Sequence, residues 1–276
     1  MRRALAPLFA LLFLLAGLVA IPPAAATHLS VEFLSGASTQ INDQSSATWT
    51  HTLLSGNDRL LMVILYAQAS AGGTSPASSV TYDGQSLTRF QTMSLASNSG
   101  TYEMWYRKEP LTTEGGTGEV VASFSVTTEA GMGSLLFQNV NQGIESSIFS
   151  QNAQDNFDLP GAAVTTTITL VSDLNHFLVT GVAYPSTRTS TDGASQTRQW
   201  TIAWPTPAGT DEVLATTANA AGSVSLSTTI AAGVSVDCFP DTCGRHLAYE
   251  IAPPSEPGGD DGGGGGGGNS LPYDFQ

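Results

Sequence analysis

Ser79-Val80-Thr81-Tyr82-Asp83-Gly84-Gln85-Ser86-Leu87-Thr88 is the stretch from which the fold is read. Two short runs of β-forming residues flank Asp83-Gly84, and that pair tolerates the positive φ which both central residues of a type I′ turn require. The stretch predicts a hairpin in which Ser79–Tyr82 pairs with Gln85–Thr88.

On either side, the apolar residues repeat with period two and almost never with a helical period. Val120, Ala122, Phe124 and Val126 fall on one face, opposite Val121, Ser123 and Ser125. Val224, Leu226, Thr228 and Ile230 alternate with Ser225, Ser227 and Thr229, and Leu247, Tyr249 and Ile251 repeat the pattern with His246 and Glu250 turned to water. Leu60–Tyr66 and Phe177–Tyr184 do not alternate, which predicts central strands covered on both faces or strands with a partly apolar outer face. Turn signals separate the runs, among them Ser55-Gly56-Asn57-Asp58, Asn98-Ser99-Gly100, Asn141-Gln142-Gly143 and Asp192-Gly193. Many short strands at such spacing predict an all-β antiparallel β-sandwich, either a jelly roll or an immunoglobulin-like Greek key.

A faint internal repeat runs through this pattern. Thr50-His51-Thr52-Leu53-Leu54-Ser55, a turn, and Leu60-Leu61-Met62-Val63 parallel Thr167-Ile168-Thr169-Leu170-Val171-Ser172, a turn of equal length, and Phe177-Leu178-Val179-Thr180. Gly100-Thr101-Tyr102-Glu103-Met104 similarly parallels Gly209-Thr210-Asp211-Glu212-Val213. Chance similarity between Thr/Leu/Ser-rich hairpins is the competing reading. A real repeat predicts that each half supplies equivalent strands to one sandwich with pseudo-twofold symmetry.

The order of a Thr-rich strand, a Gly/Asn turn, an apolar strand, the Val80–Thr88 hairpin and then Tyr102-Glu103-Met104-Trp105-Tyr106 resembles a β-sandwich module common in exported bacterial proteins. The resemblance covers most of Thr48 to Ile251. It is to a family without a settled activity, often found in surface or adhesin-like proteins, and it implies a fold and a location more than a function.

The ends and the charge point the same way. Arg2-Arg3, the apolar run from Leu5 to Ile21 and the small residues Ala24-Ala25-Ala26 read as an export signal over 1–26, cleaved before Thr27. A retained anchor is the alternative. Residues 27–254 are long enough for one large β-sandwich or two small ones, and with no linker interrupting them they read as one sandwich domain. Residues 255–276 hold an unbroken run from Gly262 to Gly268 and read as a disordered tail. The formal net charge is −14, from nine Lys and Arg against twenty-three carboxylates. Such a chain repels phosphate backbones and anionic membrane surfaces, so nucleic acid is excluded as a partner. No later run is apolar for long enough to span a bilayer, so the mature chain is expected to lack a membrane span.

Cys238 and Cys243 enclose four residues, and in an exported chain they most simply form a disulfide, with a zinc site including His246 as the alternative. Trp200, Ile202 and Trp204 share one strand face, and Tyr102, Met104 and Tyr106 another. If exposed, Trp200 and Trp204, with Tyr102 and Trp105, could stack on sugar rings; if buried, they are core. Asp155-Asn156-Phe157-Asp158 reads as an acidic loop in which Asp155, Asn156 and Asp158 could hold calcium. Glu103, beside Trp105 and Arg107, is the candidate acid for a polysaccharide hydrolase. No nucleophile elbow, phosphate loop or His-Glu-x-x-His motif is present. The expectation is a non-enzymatic exported module that binds an extracellular glycan or surface protein or has a structural role. A lectin-like module and a polysaccharide-active hydrolase are the alternatives, and no cofactor other than calcium is implied.

Overall fold

The computed structural model describes residues 29–94, 100–109, 115–159, 161–173, 175–185, 188–206, 209–219, 222–233 and 244–255, with backbone alone at 185, 204–206, 209–215 and 219. The export signal, the glycine run and both cysteines lie outside the described residues. The strands are β1 (Glu32–Thr52), β2 (Leu60–Ala69), β3 (Ala77–Tyr82), β4 (Gln85–Ser86), β5 (Thr88–Ser94), β6 (Thr101–Lys108), β7 (Thr117–Gln138), β8 (Phe149–Phe157), β9 (Val164–Ser172), β10 (Phe177–Pro185), β11 (Ser190–Asp192), β12 (Thr197–Thr206), β13 (Gly209–Asn219), β14 (Gly222–Ile230) and β15 (Gly244–Ile251). One helical turn, α1 (Glu145–Ile148), precedes β8. The fold is an all-β antiparallel sandwich, and among the described residues no helix is long and apolar enough to cross a membrane.

The Asp83-Gly84 turn forms as the residues require. Asp83 has φ 45° and Gly84 φ 75°, and Tyr82 pairs with Gln85 across them. The Asp83 carboxylate also accepts the Glu119 N–H at 2.9 Å, which ties the turn to β7.

The internal repeat is real at the level of strand pairing. In the first half β2 lies between β6 and the later part of β7, β6 pairs with β5, and the early part of β1 (Glu32–Ile41) pairs with β7. In the second half β10 lies between β13 and β15, β13 pairs with β12, and β8 pairs with β15. Each half thus has a five-stranded layer. Each also has a second layer: β7 between β1 (Ser46–Thr52) and β3, matched by β14 between β9 and β11. Successive strands mostly alternate between layers, and the first strand of each half neighbours its last, which is the jelly-roll arrangement rather than the immunoglobulin one. In the first half β1 and β7 pass unbroken from one layer to the other, with register shifts around Gln44 and a positive φ of 51° at Asp43, so its strands form one continuous sheet.

Residues 29–255 form one compact unit, but the two halves do not share a single sandwich. Each builds its own, and the two five-stranded layers pack face to face. The parity of β2 shows this. Leu61, Val63, Leu65 and Ala67 join the core inside the first sandwich with Trp49, Tyr82, Val120 and Met132, whereas Leu60, Met62, Ile64 and Tyr66 join a second core. That second core also holds Phe177, Val179, Trp200, Leu247, Tyr249 and Ile251 from the other half. Aromatic contacts cross it: the Phe90 and Phe149 rings lie 4.5 Å apart, and Tyr106 meets Phe149 edge to face at 5.2 Å. Ile168, Leu170, Leu178, Leu226 and Ala248 fill the second sandwich. The runs without alternation are therefore the strands that feed two cores at once, as expected. Outer faces carry the alternating hydroxyls, with Thr165 to Thr229 at 2.8 Å and Thr169 to Ser225 at 2.9 Å.

His246 and Glu250 do not face water: they are 0% and 1% exposed, because β15 is central and its polar parity turns into the second sandwich under β9.

Candidate functional site: a hydroxyl and histidine chain inside the second sandwich

β15 turns His246 into the core of the second sandwich, where neighbouring strands place hydroxyls on the same parity. Thr180 on β10 and Thr216 on β13 share its sheet, and Thr166 on β9 faces it from the opposing layer. The distances form a continuous path: Gln196 Nε2 to Thr216 Oγ1 at 2.8 Å, Thr216 to Thr180 at 3.5 Å, Thr180 to His246 Nε2 at 3.3 Å, His246 Nδ1 to Thr166 at 3.1 Å, and Thr166 to Asp155 Oδ2 at 2.8 Å. The chemistry of the groups sets the direction of each bond. The Asp155 carboxylate only accepts, so Thr166 donates to it and accepts from the His246 Nδ1–H. The bare Nε2 then accepts from Thr180, which accepts from Thr216, which accepts from the Gln196 amide. Burial pushes the imidazole down to about 4, so the ring is neutral, as this pattern needs. At the far end the Gln196 carbonyl accepts the Ser227 N–H at 2.7 Å, which fixes the orientation of the amide.

The arrangement is a buried polar network in which each donor meets an acceptor. Thr180, Thr216 and His246 are fully buried, so no external substrate reaches them.

The first half holds its own buried imidazole. His51 shares a face with Trp49 and Leu53, and all three are buried. Ser134 accepts the Trp49 Nε1–H at 2.9 Å and lies 2.7 Å from His51 Nδ1, while Nε2 lies 3.0 Å from Ser35, which donates to the Thr52 carbonyl. Here Nε2 carries the proton, and burial again pushes the ring down to about 4.

The aromatic candidates are core side chains. Trp200 is 7% exposed and lies against Gly133 of the other half, where an added Cβ would sit 2.3 Å from the indole. Tyr102 is fully buried, and Trp105, at 6%, lies under the Arg89 guanidinium. Trp204 pairs through its backbone with Asp211, and its side chain is outside the described residues. The structure does not bring these residues together as an exposed platform. Glu103 is buried and fully engaged: it accepts the Ala77 N–H at 2.8 Å, the Arg89 guanidinium at 3.2 Å and the Trp105 Nε1–H at 3.4 Å, and burial pushes its carboxyl up.

The segment read as an acidic loop is largely strand. Asp155 and Asn156 are consecutive in β8 and so point to opposite faces, Asp155 to Thr166 and Asn156 to the Arg245 guanidinium, while Asp158 is exposed just beyond the strand end. Among the described residues no three His, Cys, Asp or Glu side chains cluster as a metal site. Cys238 and Cys243 lie outside the described residues.

Spacing along the chain does not reveal the Gln196–Asp155 path, because its members come from five strands and a turn. The available signal was Thr180 itself, a hydroxyl on the core parity of a central strand otherwise occupied by Leu178, Val182 and Tyr184. On the surface, a groove of about 440 Å³ opens where β1 meets the β12–β13 edge, lined by Glu32, Phe33, Phe177, Thr197, Gln199 and Thr217 among others. Gln199 donates to Thr217 at 2.7 Å along its wall. No family model, curated protein or solved structure matches this chain.

Proposed function

We propose that the chain is exported and works outside the cytoplasm as a binding or structural module made of two jelly rolls. The leader-like residues 1–26 and the acidic composition support the location. Binding is carried by one observation, the groove between β1 and the β12–β13 edge, which sets two phenylalanines beside a row of hydroxyl and amide groups. Ser195, Thr197, Thr217 and Gln199 supply uncharged donors and acceptors, and Glu32 is the one acid among the lining residues. Neutral sugars present an apolar ring face with a hydroxyl rim, so this lining favours a carbohydrate ligand over a nucleic acid or a lipid.

N-terminal sequencing of the protein recovered outside the cytoplasm tests the location: a chain starting at Thr27 is expected, and a cytoplasmic protein retaining Met1 would contradict it. A glycan array tests the ligand class. Binding that is lost in Gln199→Ala and Thr197→Val supports a sugar, and an array without hits removes the carbohydrate reading.

A further inference from the structure

The two ends of the contact between the halves are built to one plan and filled differently. Strand pairing fixes the correspondence. Ile64 pairs with Met104 as Gly181 pairs with Ala215, and in each half the next strand carries a one-residue bulge, at Phe90 between Arg89 and Gln91 and at Gln199 between Arg198 and Trp200. The sequence agrees, since Asp83–Arg89 and Asp192–Arg198 share the pattern Asp-Gly-x-Ser-x-Thr-Arg immediately before the two bulge residues. By the same pairing Tyr106 corresponds to Thr217, Tyr249 to Leu135 and Phe149 to Phe33. At one end Phe90 fills the space: its ring lies 4.5 Å from that of Phe149 at 38°, with Tyr106 and Tyr249 set edge-on to it at 6.5 and 5.9 Å. At the other end Gln199, Thr217 and Leu135 stand in place of three aromatic rings, and the Gln199 amide is turned aside to donate to Thr217 at 2.7 Å. The groove of about 440 Å³ beside Phe33 lies there.

We propose that the groove is a ring site, in which one pyranose lies face down on Phe33 in the place that Phe90 takes on Phe149. The proposal rests on the carbohydrate reading of the groove and names the unit bound and the surface that binds it. A pyranose with equatorial hydroxyls is apolar on its face, like the phenyl ring whose place it takes, and polar at its rim. The replacements serve that rim. Gln199 and Thr217 bring an amide and a hydroxyl to the wall, Ser195 and Thr197 add hydroxyls, and the Glu32 carboxylate, held by the Gln138 amide at 2.6 Å, adds a strong acceptor. An aromatic side chain from a peptide would cover the Phe33 face but leave this polar lining without partners.

Saturation-transfer difference NMR on the full chain tests this, with the methyl β-pyranosides of glucose, galactose and xylose as probes. Saturating the aromatic protons of the protein should reach the axial protons of one sugar face. Phe33→Leu keeps the apolar bulk but removes the flat ring, and should abolish the transfer. Gln199→Phe should abolish it as well, by filling the groove as Phe90 fills the other end, and should raise the melting temperature by about 2–4 °C. Sugar contact that persists in Gln199→Phe would leave the carbohydrate reading standing and overturn the ring site, as would a folded Gln199→Phe that melts no higher than the parent. No transfer to any of these sugars would overturn the ring site, and the glycan array decides separately whether the carbohydrate reading falls with it. Transfer to N-acetylphenylalanine amide alone would assign the groove to a peptide side chain and overturn the proposal. Phe33→Leu gives the reading even where Gln199→Phe fails to fold.

Discussion

The phenol oxygen of Tyr102, on β6, lies directly over Gly181 on β10, so close that a Cβ built on Gly181 would sit 1.9 Å from it. The contact joins the two halves, because β6 and β10 belong to the facing five-stranded layers. It explains why a glycine interrupts the apolar run Phe177–Tyr184. Tyr102 is fully buried, and its hydroxyl has no hydrogen-bond partner among the described residues.

Gly181→Ala should therefore destabilise the protein by about 1–3 kcal/mol through overpacking. Tyr102→Phe removes an unsatisfied buried hydroxyl and should be neutral or stabilising by up to about 1 kcal/mol. The double variant should recover much of the loss caused by alanine. Urea unfolding of the three variants checks this: additive effects would show that the two side chains do not meet.

Acid stability should depend on the two buried imidazoles. Each has a folded value near 4 against an ordinary value of 6.5, so as pH falls between these limits the unfolded chain takes up protons that the folded chain refuses. Each then removes up to about 3 kcal/mol of stability, with no further loss below about pH 4. Glu103 and Glu129 act in the opposite sense, since burial raises both and their cost disappears as pH falls toward the ordinary carboxylate range. Comparing urea unfolding of the parent and of His246→Gln at each pH isolates one imidazole. The parent's advantage should shrink between pH 6.5 and 4; a constant difference would contradict the assigned neutral ring.

Glu103 tests whether a buried acid is structural here. Removing it in Glu103→Ala leaves the Ala77 N–H and the Trp105 indole N–H without their acceptor, at about 1–3 kcal/mol for each buried donor. A loss of several kcal/mol measured by denaturant unfolding is expected. A variant as stable as the parent would mean that this carboxylate is not what holds β3 to β6.

At the hairpin, Gly84 has φ 75° and open space around its Cβ position. Gly84→Ala should cost about 1–2 kcal/mol from backbone conformation alone, with no steric contribution. A thermal melt unchanged from the parent would show that the turn relaxes to another type.

Much of the architecture was legible because local chemistry decides it. Asp83-Gly84 can only be a tight turn, and Leu60–Tyr66 lacks alternation because its two parities feed two cores. The repeat between Thr50–Val63 and Thr167–Thr180 pointed to equivalent strands, and the pairing reproduces them. The face-to-face packing of the halves was not legible. Trp200 and Tyr102 look the same in sequence whether a sheet covers them or a ligand does, and the difference is made by Gly133 and Gly181, far along the chain. His246 and Glu250 were read outward because a polar residue in an alternating strand usually is. Their burial is permitted by partners on other strands, Thr166 and Thr180 for the imidazole, Ser150 and Ser172 for the carboxylate. The Asp155–Asp158 segment has the composition of a loop and becomes strand because β15 supplies its hydrogen-bonding partner.

Two equivalent sandwiches meet through their five-stranded layers, and the contact between Trp200 and Gly133 is the sharpest reporter of that packing. Strong nuclear Overhauser effects are expected between the Trp200 indole protons and the Gly133 α protons, together with an indole protected from solvent quenchers. An exposed Trp200 with no such cross-peaks would contradict it.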